Sequence, residues 1–145
     1  EPTRDVPGLR RRMIAGVADT HAALWYLYDD ARLSARAGGF IDTAAMTGNK
    51  TAVSSVSFAE IVYLIEKKRL SEQTYADLRF AVEGAEYVFQ EVHFTSEIVH
   101  AMRHVRRADV PDMPDRMIAA TALYEGVPII SRDGKIRTSS LQTIW

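Results

Sequence analysis

The chain has 145 residues, of which 47% are hydrophobic and 26% are charged, and its net charge at pH 7 is -1. This length suits one domain, and the composition excludes a disordered or collagen-like chain. Because the chain contains no cysteine, disulfides, thiolate metal sites and a cysteine nucleophile are excluded, and the near-zero charge excludes nucleic-acid binding through the field of the whole protein.

The apolar runs of the chain are too short for a membrane protein. None approaches the roughly 18 residues that cross a bilayer, and the basic segment 10–12 is followed by too few apolar residues for a signal peptide. We therefore expect a cytoplasmic protein that makes no membrane contact. Residues 1–12 are polar and include two prolines, which indicates a tail or a cloning remnant, and residues 13–145 are expected to form the single domain.

Apolar residues alternate between strand and helix spacing along the chain. The predicted strands are residues 13–18, 51–56, 87–92, 127–131 and 142–145. The first predicted helix has its apolar spacing at residues 22–27, with Asp19 or Thr20 able to cap it. The other predicted helices are residues 34–46, 58–69, 71–84, 95–107 and 115–125, with a loop at Pro111 and Pro114 and a turn at Asp133. Helical crossovers between strands produce parallel sheets that are covered on both faces. The predicted fold class is α/β, a three-layer α/β/α sandwich with a mostly parallel central sheet of four to five strands.

Four acidic residues occupy positions where such a sheet carries its ligand site, beyond the carboxyl ends of the strands. They are Asp19 after the first strand, Glu60 in the helix after the second, Asp115 at a helix start and Asp133 after a late strand. Singly, each fits a structural role such as a cap, a turn or a solvated position. Together, four carboxylates at one edge repel each other unless a cation lies among them, and oxygen ligands suit Mg²⁺ or Mn²⁺ better than zinc.

Several segments of the chain resemble PIN-domain ribonucleases, in particular the toxins of VapBC-type toxin–antitoxin pairs. The segments are DTHAALW (19–25), DDARLS (29–34), VSSVSFAEI (53–61), MPDRMIAATAL (113–123), VPIISRD (127–133) and the closing Ile144 and Trp145. The resemblance covers Met13 to Trp145. It implies a parallel sheet between helices, a Mg²⁺- or Mn²⁺-dependent endoribonuclease that inhibits translation as a toxin, a cognate antitoxin and a homodimer.

The acidic cluster of these ribonucleases falls by position on Asp19, Glu60, Asp115 and Asp133. One motif departs from the pattern, because many relatives carry a histidine and a DPFD run where this chain has ADVPDMPD at 108–115. Asp112 keeps the spacing of the upstream acid. It is either an accessory ligand or a loop residue, and the loop interpretation is favoured.

Hydrolysis of a phosphodiester requires an activated water and relief of the charge that builds up on the phosphate, and divalent ions supply both. We therefore predict that Asp19, Asp115 and Asp133 hold metal, directly or through water, and that Glu60 positions a metal or orients the attacking water. The hydroxyls of Ser131 and Thr20 are placed to support these carboxylates. For Thr20, a capping role is an equal alternative.

Other polar residues near the motifs have two interpretations each. His21 either contacts substrate or packs against its neighbours in the first helical turn, and packing is favoured. Arg116 either steadies a carboxylate, binds phosphate or forms an ordinary salt bridge. His100 and His104 are four residues apart but lack the His-Glu-x-x-His pattern of metalloproteases, so an exposed or half-buried pair on a helix is expected.

Apolar side chains of the early helices exceed what one small core requires. We expect that some of them form a surface groove for a helix of an antitoxin, and the alternative is that all belong to the core. They are Trp25, Tyr26, Phe58, Tyr63 and Leu64.

The motifs disfavour two other functions and leave a third open. A haloacid-dehalogenase-like phosphatase needs a second aspartate two residues after the first, where His21 stands. A phospho-acceptor receiver domain needs an aspartate after the third strand, where the chain has Thr95 and Ser96. A non-catalytic PIN-fold module that binds RNA or protein remains an alternative, because complete motifs do not prove turnover.

Overall fold

The computed structural model describes residues 13–84, 88–137 and 139–145, so the predicted tail at 1–12 lies outside the described residues. The strands are β1 (Ile14–Ala18), β2 (Lys50–Ser54), β3 (Phe89–Val92), β4 (Ile129–Ile130) and β5 (Thr143–Ile144). The helices are α1 (Thr20–Leu27), α2 (Ala35–Met46), α3 (Ser55–Glu66), α4 (Gln73–Glu83), α5 (Ser96–Met102), α6 (Met113–Glu125) and α7 (Gly134–Arg137).

The five strands form one parallel sheet in the order β3-β2-β1-β4-β5. The chain moves outward from β1 to β3 on one side and then continues with β4 and β5 on the other. The strand order therefore reverses between β1 and β4, where Ala18 pairs with Ile130. In open α/β sheets, ligand sites lie beyond the carboxyl ends of the strands at such a reversal.

Successive residues of the central strands enter two separate cores, because side chains alternate between the faces of a sheet. Ala18, Val53 and Ile130 pack with residues of α1, α2, α3 and α4. Their chain neighbours Val17, Ala52 and Ile129 pack with residues of α5, α6 and α7. Helices therefore cover both faces, and the predicted three-layer α/β/α sandwich is confirmed.

Two element boundaries differ from the prediction because side chains cap helices earlier than the apolar pattern suggests. Strand β2 ends at Ser54 rather than at residue 56, since Ser54 Oγ accepts a 3.0 Å hydrogen bond from the Val56 N–H and starts α3. Helix α6 starts at Met113 rather than Asp115, with Asp112 as its cap. Pro114 lies in the first turn of α6, where backbone N–H groups have no partner within the helix, so its missing N–H costs no hydrogen bond.

Other boundaries of helices and strands also differ from the prediction. Helix α5 ends at Met102 instead of residue 107, and the short helix α7 follows Asp133, where a turn was expected. The predicted strand at 87–92 begins in the structure at Phe89, and Tyr87 lies outside the described residues. Within the described ranges, every helix is too short or too polar to cross a bilayer.

Candidate functional site

Asp19 lies at the carboxyl end of β1 and is buried, with 8% of its surface exposed. Its carboxylate caps α1 by accepting a 2.8 Å hydrogen bond from the Ala22 N–H, and it also accepts one from the Ser131 hydroxyl. Burial raises the pKa of Asp19 above its ordinary value, and the hydrogen bonds from Ser131 and Ala22 oppose that rise only in part. Asp19 is therefore both the helix cap and a buried acid that faces other acids.

Glu60 projects from α3 toward Asp19 and is held by the first residue of α1. Thr20 Oγ1 donates a 2.5 Å hydrogen bond to Glu60 Oε1 and lies 2.9 Å from Ser57 Oγ. Thr20 and Ser57 are both buried, so their hydroxyls have no water to replace these contacts. Of the two roles considered for Thr20, the structure shows the support of a carboxylate, while the capping side chain is that of Asp19.

Asp115 lies in the first turn of α6, and its N–H donates a 3.1 Å hydrogen bond to Asp112 Oδ1. Asp112 lies at the end of the loop, in line with the favoured interpretation, and there it caps α6 with a side chain that reaches the same cleft as Asp115. Partial burial, followed by the charges of Asp112, Asp133, Glu60 and Asp19, raises the pKa of Asp115 to about 7.

Asp133 follows β4 and caps α7, with Oδ1 accepting hydrogen bonds from the N–H groups of Lys135 at 2.9 Å and Ile136 at 3.2 Å. Its own N–H donates a 3.0 Å hydrogen bond to Ser131 Oγ. Because Ser131 is fully buried and also binds Asp19, one hydroxyl connects the acids that follow β1 and β4.

The four predicted acids line one cleft of about 360 Å³ at the carboxyl edge of the sheet, with Asp112 and His21 among its other walls. The fold thus places acids from four distant parts of the chain around one space. Among residues 13–84, 88–137 and 139–145, no three acids or histidines lie close enough to form a ready-made metal site.

The donor set of this cleft fits a hard divalent cation. All four side chains offer carboxylate oxygens, which Mg²⁺ and Mn²⁺ prefer. The raised pKa of Asp115 shows that the cleft disfavours one more negative charge. A cation among the acids would remove that penalty.

The mouth of the cleft carries two arginines for which the sequence pattern predicted no role. The guanidinium carbons of Arg32 and Arg132 lie 5.0 and 4.5 Å from the centroid of the Trp25 ring. Arg32 also forms a forked ion pair with Asp30, at 3.0 Å through Nε and 2.7 Å through Nη2. The position of Arg132 directly before Asp133 was the one signal available in the sequence.

A larger groove of about 750 Å³ joins the acidic cleft and extends between α1, α3 and α4. Three of the five side chains expected at such a groove line it, namely Trp25, Tyr63 and Leu64. The other two belong elsewhere, because Phe58 is buried under Arg79 and Tyr26 packs against Phe89.

Several polar residues have other surroundings than expected. Arg116 donates from Nε to the Val105 carbonyl at 2.8 Å and from Nη2 to the Met102 carbonyl at 3.3 Å, so it closes the end of α5 instead of forming a salt bridge. His21 is exposed and lines the cleft, and its ring packs against that of Trp25 with 5.6 Å between the centroids. His100 and His104 are exposed, but α5 ends between them.

Comparisons with known proteins agree with this geometry. The family model described as "PIN domain" matches residues 17–138. The chain is 27% identical to Ribonuclease VapC22 of Mycobacterium tuberculosis over 126 residues, which cover 87% of this chain and 92% of that protein. The resemblance seen in the sequence is thereby confirmed.

Two solved structures show the same fold at low sequence identity. VapBC2 from Rickettsia felis, bound to a DNA fragment from its promoter, aligns with a TM-score of 0.63 at 17% identity, covering 90% of this chain and 97% of that one. A toxin–antitoxin complex from Klebsiella pneumoniae aligns with a TM-score of 0.61 at 17% identity, with the same coverage of 90% and 97%.

Proposed function

The chain belongs to the PIN-domain family, and on this premise we propose that it is a Mg²⁺- or Mn²⁺-dependent endoribonuclease. We propose further that it is the toxin of a toxin–antitoxin pair and inhibits translation in the cytoplasm. The observation that carries the proposal is the cleft in which Asp19, Glu60, Asp115 and Asp133 come together. The similarity to a protein named as a ribonuclease supports RNA as the substrate.

The acids of the cleft have two proposed roles in hydrolysis, to bind a divalent cation and to orient the attacking water. Asp19, Asp115 and Asp133 would hold the divalent cation, with Glu60 completing the set. When bound, such a cation supplies a nucleophilic water at neutral pH and neutralises charge on the phosphate. Glu60, fixed by the Thr20 hydroxyl, would orient an attacking water toward phosphorus. Hydrolysis balances when the water oxygen bonds to phosphorus, the ester P–O bond breaks, and a proton of that water ends on the departing oxygen.

An antitoxin is the protein partner that we propose. The groove beside the cleft offers Leu24, Trp25, Leu64 and Leu70 as an apolar lining, and Tyr63 on its rim is 54% exposed. An amphipathic helix buries its apolar face in grooves of this kind. The fold shared with a structure described as a toxin–antitoxin complex is consistent with this partner.

We also propose that the chain forms a homodimer, as the family resemblance implies. Exposed apolar side chains on α5 and α6 support it, among them Val99 at 49%, Leu123 at 39% and Tyr124 at 51%. Light scattering coupled to gel filtration tests this point. A mass near twice 16.2 kDa is expected, and a monomer at all concentrations would contradict it.

The experiment for the nuclease proposal compares end-labelled RNA and DNA of one sequence, each with Mg²⁺ and with EDTA. We expect internal cleavage of RNA that requires Mg²⁺. The alternative function, a module that binds RNA or protein without cleaving it, predicts RNA binding with no product under any condition.

A further inference from the structure

The acidic cleft poses an electrostatic problem for an RNA substrate, because the strand carries a negative phosphate at every nucleotide. Four carboxylates line the cleft, and Asp112 adds a fifth at its edge. A cation among the acids neutralises part of this charge, but the phosphates beside the reacting one still approach a negative surface. A positive group at the mouth is therefore needed to hold the neighbouring phosphate.

The Arg132 guanidinium has the placement that such a group requires. It lines the same cleft as the acids and is exposed to solvent. Its carbon lies 4.5 Å from the centroid of the Trp25 ring, a cation–π distance that steadies the planar group over an otherwise buried indole. In the part of the chain that the structure describes, no carboxylate oxygen lies within 4.0 Å of its nitrogens.

Arg32 shares the Trp25 ring but is not equivalent to Arg132. Asp30 engages two nitrogens of Arg32, so most of its charge is already balanced. Asp30 also feels the charge of Arg132 at longer range. The Arg32–Asp30 pair is neutral as a unit, so the positive charge of Arg132 beside it is not balanced by a direct ion pair.

We propose that Arg132, held over Trp25 beside the Arg32–Asp30 pair, binds a backbone phosphate of RNA next to the phosphate that is cleaved. This inference rests on the proposed nuclease function. Arg132 is here a substrate-binding residue that reads the phosphate and not the base, because a guanidinium contacts two phosphate oxygens at once. Asp30 opposes the same binding, since its negative charge acts on Arg132 at longer range and repels a phosphate.

The test measures RNA binding by fluorescence anisotropy with a labelled ten-nucleotide RNA at a series of KCl concentrations. Every protein in this test carries Asp115→Asn so that the RNA remains intact, which a gel verifies after each titration. For single strands, each neutralised phosphate contributes about 0.7 to the slope of log K against log salt. The slope therefore counts phosphate contacts, and a purely structural role of Arg132 would not change it.

We expect Arg132→Ala to weaken binding about tenfold and to lower the slope by about 0.7. Arg132→Lys retains the charge, so it should keep the slope while it loses affinity. Asp30→Asn should shift affinity in the opposite direction, toward tighter binding. Arg107→Ala is the matched control, because Arg107 is exposed and lies outside the cleft lining, and it should leave affinity within about twofold.

An unchanged salt slope of RNA binding for Arg132→Ala would overturn the inference. This holds also if Arg132→Ala weakens the binding of an acidic protein, because Arg132 would then contact that protein and not RNA. Cleavage by the unaltered chain is measured in parallel and reports on the proposed function alone. If the chain cleaves RNA and the slope is unchanged, only the inference about Arg132 fails. If the slope falls but the unaltered chain never cleaves RNA, the nuclease proposal fails, and Arg132 remains a phosphate-binding residue of an RNA-binding module.

Discussion

Thr20 Oγ1 donates a 2.5 Å hydrogen bond to Glu60 Oε1 across 40 positions of sequence. The first residue of α1 thereby fixes an acid of α3, and the helix that starts at Asp19 aligns two acids of the cleft. Ser131 has the corresponding role on the other side of β1, between Asp19 and Asp133. Buried hydroxyls therefore set the positions of these carboxylates.

Thr20→Val removes this hydroxyl while it preserves the shape of the side chain. We expect RNA cleavage to fall about 10- to 100-fold, since residues that support ligands have effects of this size. The free energy of unfolding should fall by about 1–3 kcal/mol, because Ser57 loses a buried partner. Thr20→Ser keeps the hydroxyl and is the control, so it should retain most of the RNA cleavage and most of the stability. Undiminished cleavage by Thr20→Val would show that Glu60 needs no support.

Stability without divalent metal should depend on pH through Asp115. Its pKa is raised to about 7 in the folded protein, from 3.8, so the folded state binds the extra proton between these values. The stability that this proton provides is present at low pH and is lost as the pH rises toward 7. The slope is at most about 1.4 kcal/mol per pH unit, and less because water reaches the half-buried carboxyl.

Urea unfolding in EDTA between pH 5 and pH 7 measures this slope. Asp30, with its pKa lowered to about 2, and Asp77, whose pKa is also lowered, affect stability only at more acidic pH. Asp115→Asn should make the free energy of unfolding less dependent on pH, and this variant should be more stable than the unaltered chain at pH 7. Part of the pH dependence should remain, because the pKa of Asp19 is also raised. Asp29→Asn is an exposed control. An equal slope in the Asp115 and Asp29 variants would refute the assignment.

Arg116 is expected to act on stability and not on RNA. Its guanidinium satisfies the carbonyls of Met102 and Val105, so Arg116→Met should cost about 1–3 kcal/mol. The salt dependence of RNA binding should remain that of the unaltered chain. A lower salt slope would indicate instead the phosphate contact that the sequence left open for this residue.

The groove should bind the antitoxin independently of catalysis. Tyr63→Lys places a charge on its exposed rim and is expected to weaken antitoxin binding about tenfold while RNA cleavage is retained. Met46→Lys is the control, because Met46 is 85% exposed and lies at the end of α2, outside the groove lining. The measurement uses the product of the gene immediately upstream as the proposed antitoxin. Equal binding by both variants would place the partner elsewhere.

The convergence of the acids at one sheet edge could be predicted from the sequence, whereas the contacts of the side chains around them could not. Asp19 and Asp133 follow apolar strands, and parallel strands bring their carboxyl ends to one edge whatever the loops do. The meeting of Arg32 and Arg132 over Trp25 depends on tertiary packing between distant segments, which no local pattern encodes. The cap at Asp112 was missed for another reason, because its two flanking prolines suggested a loop.

Helix ends show the same division between local and tertiary causes. The apolar pattern of α5 continues to Val105, yet the helix ends at Met102. There the Arg116 guanidinium of α6 donates hydrogen bonds to the carbonyls of Met102 and Val105. This contact joins residues more than ten positions apart and cannot be deduced from spacing. The start of α3 at Ser54, in contrast, rests on a local serine cap.

The central claim is that the charge of the acidic cleft binds a divalent cation that drives RNA cleavage. Its most direct test compares the unaltered chain with Asp19→Asn, in RNA cleavage and thermal melting, with EDTA, Mg²⁺, Mn²⁺ and Ca²⁺. Mg²⁺ and Mn²⁺ should support cleavage, and Ca²⁺ should raise the melting temperature but support little cleavage, since its longer and more flexible coordination misplaces the water.

Asp19→Asn should lose at least about 100-fold in cleavage, more than a residue that only supports a ligand, and should melt no lower than the unaltered chain in EDTA because a repulsive charge is gone. Undiminished cleavage in EDTA, or by Asp19→Asn with Mg²⁺, would contradict the account.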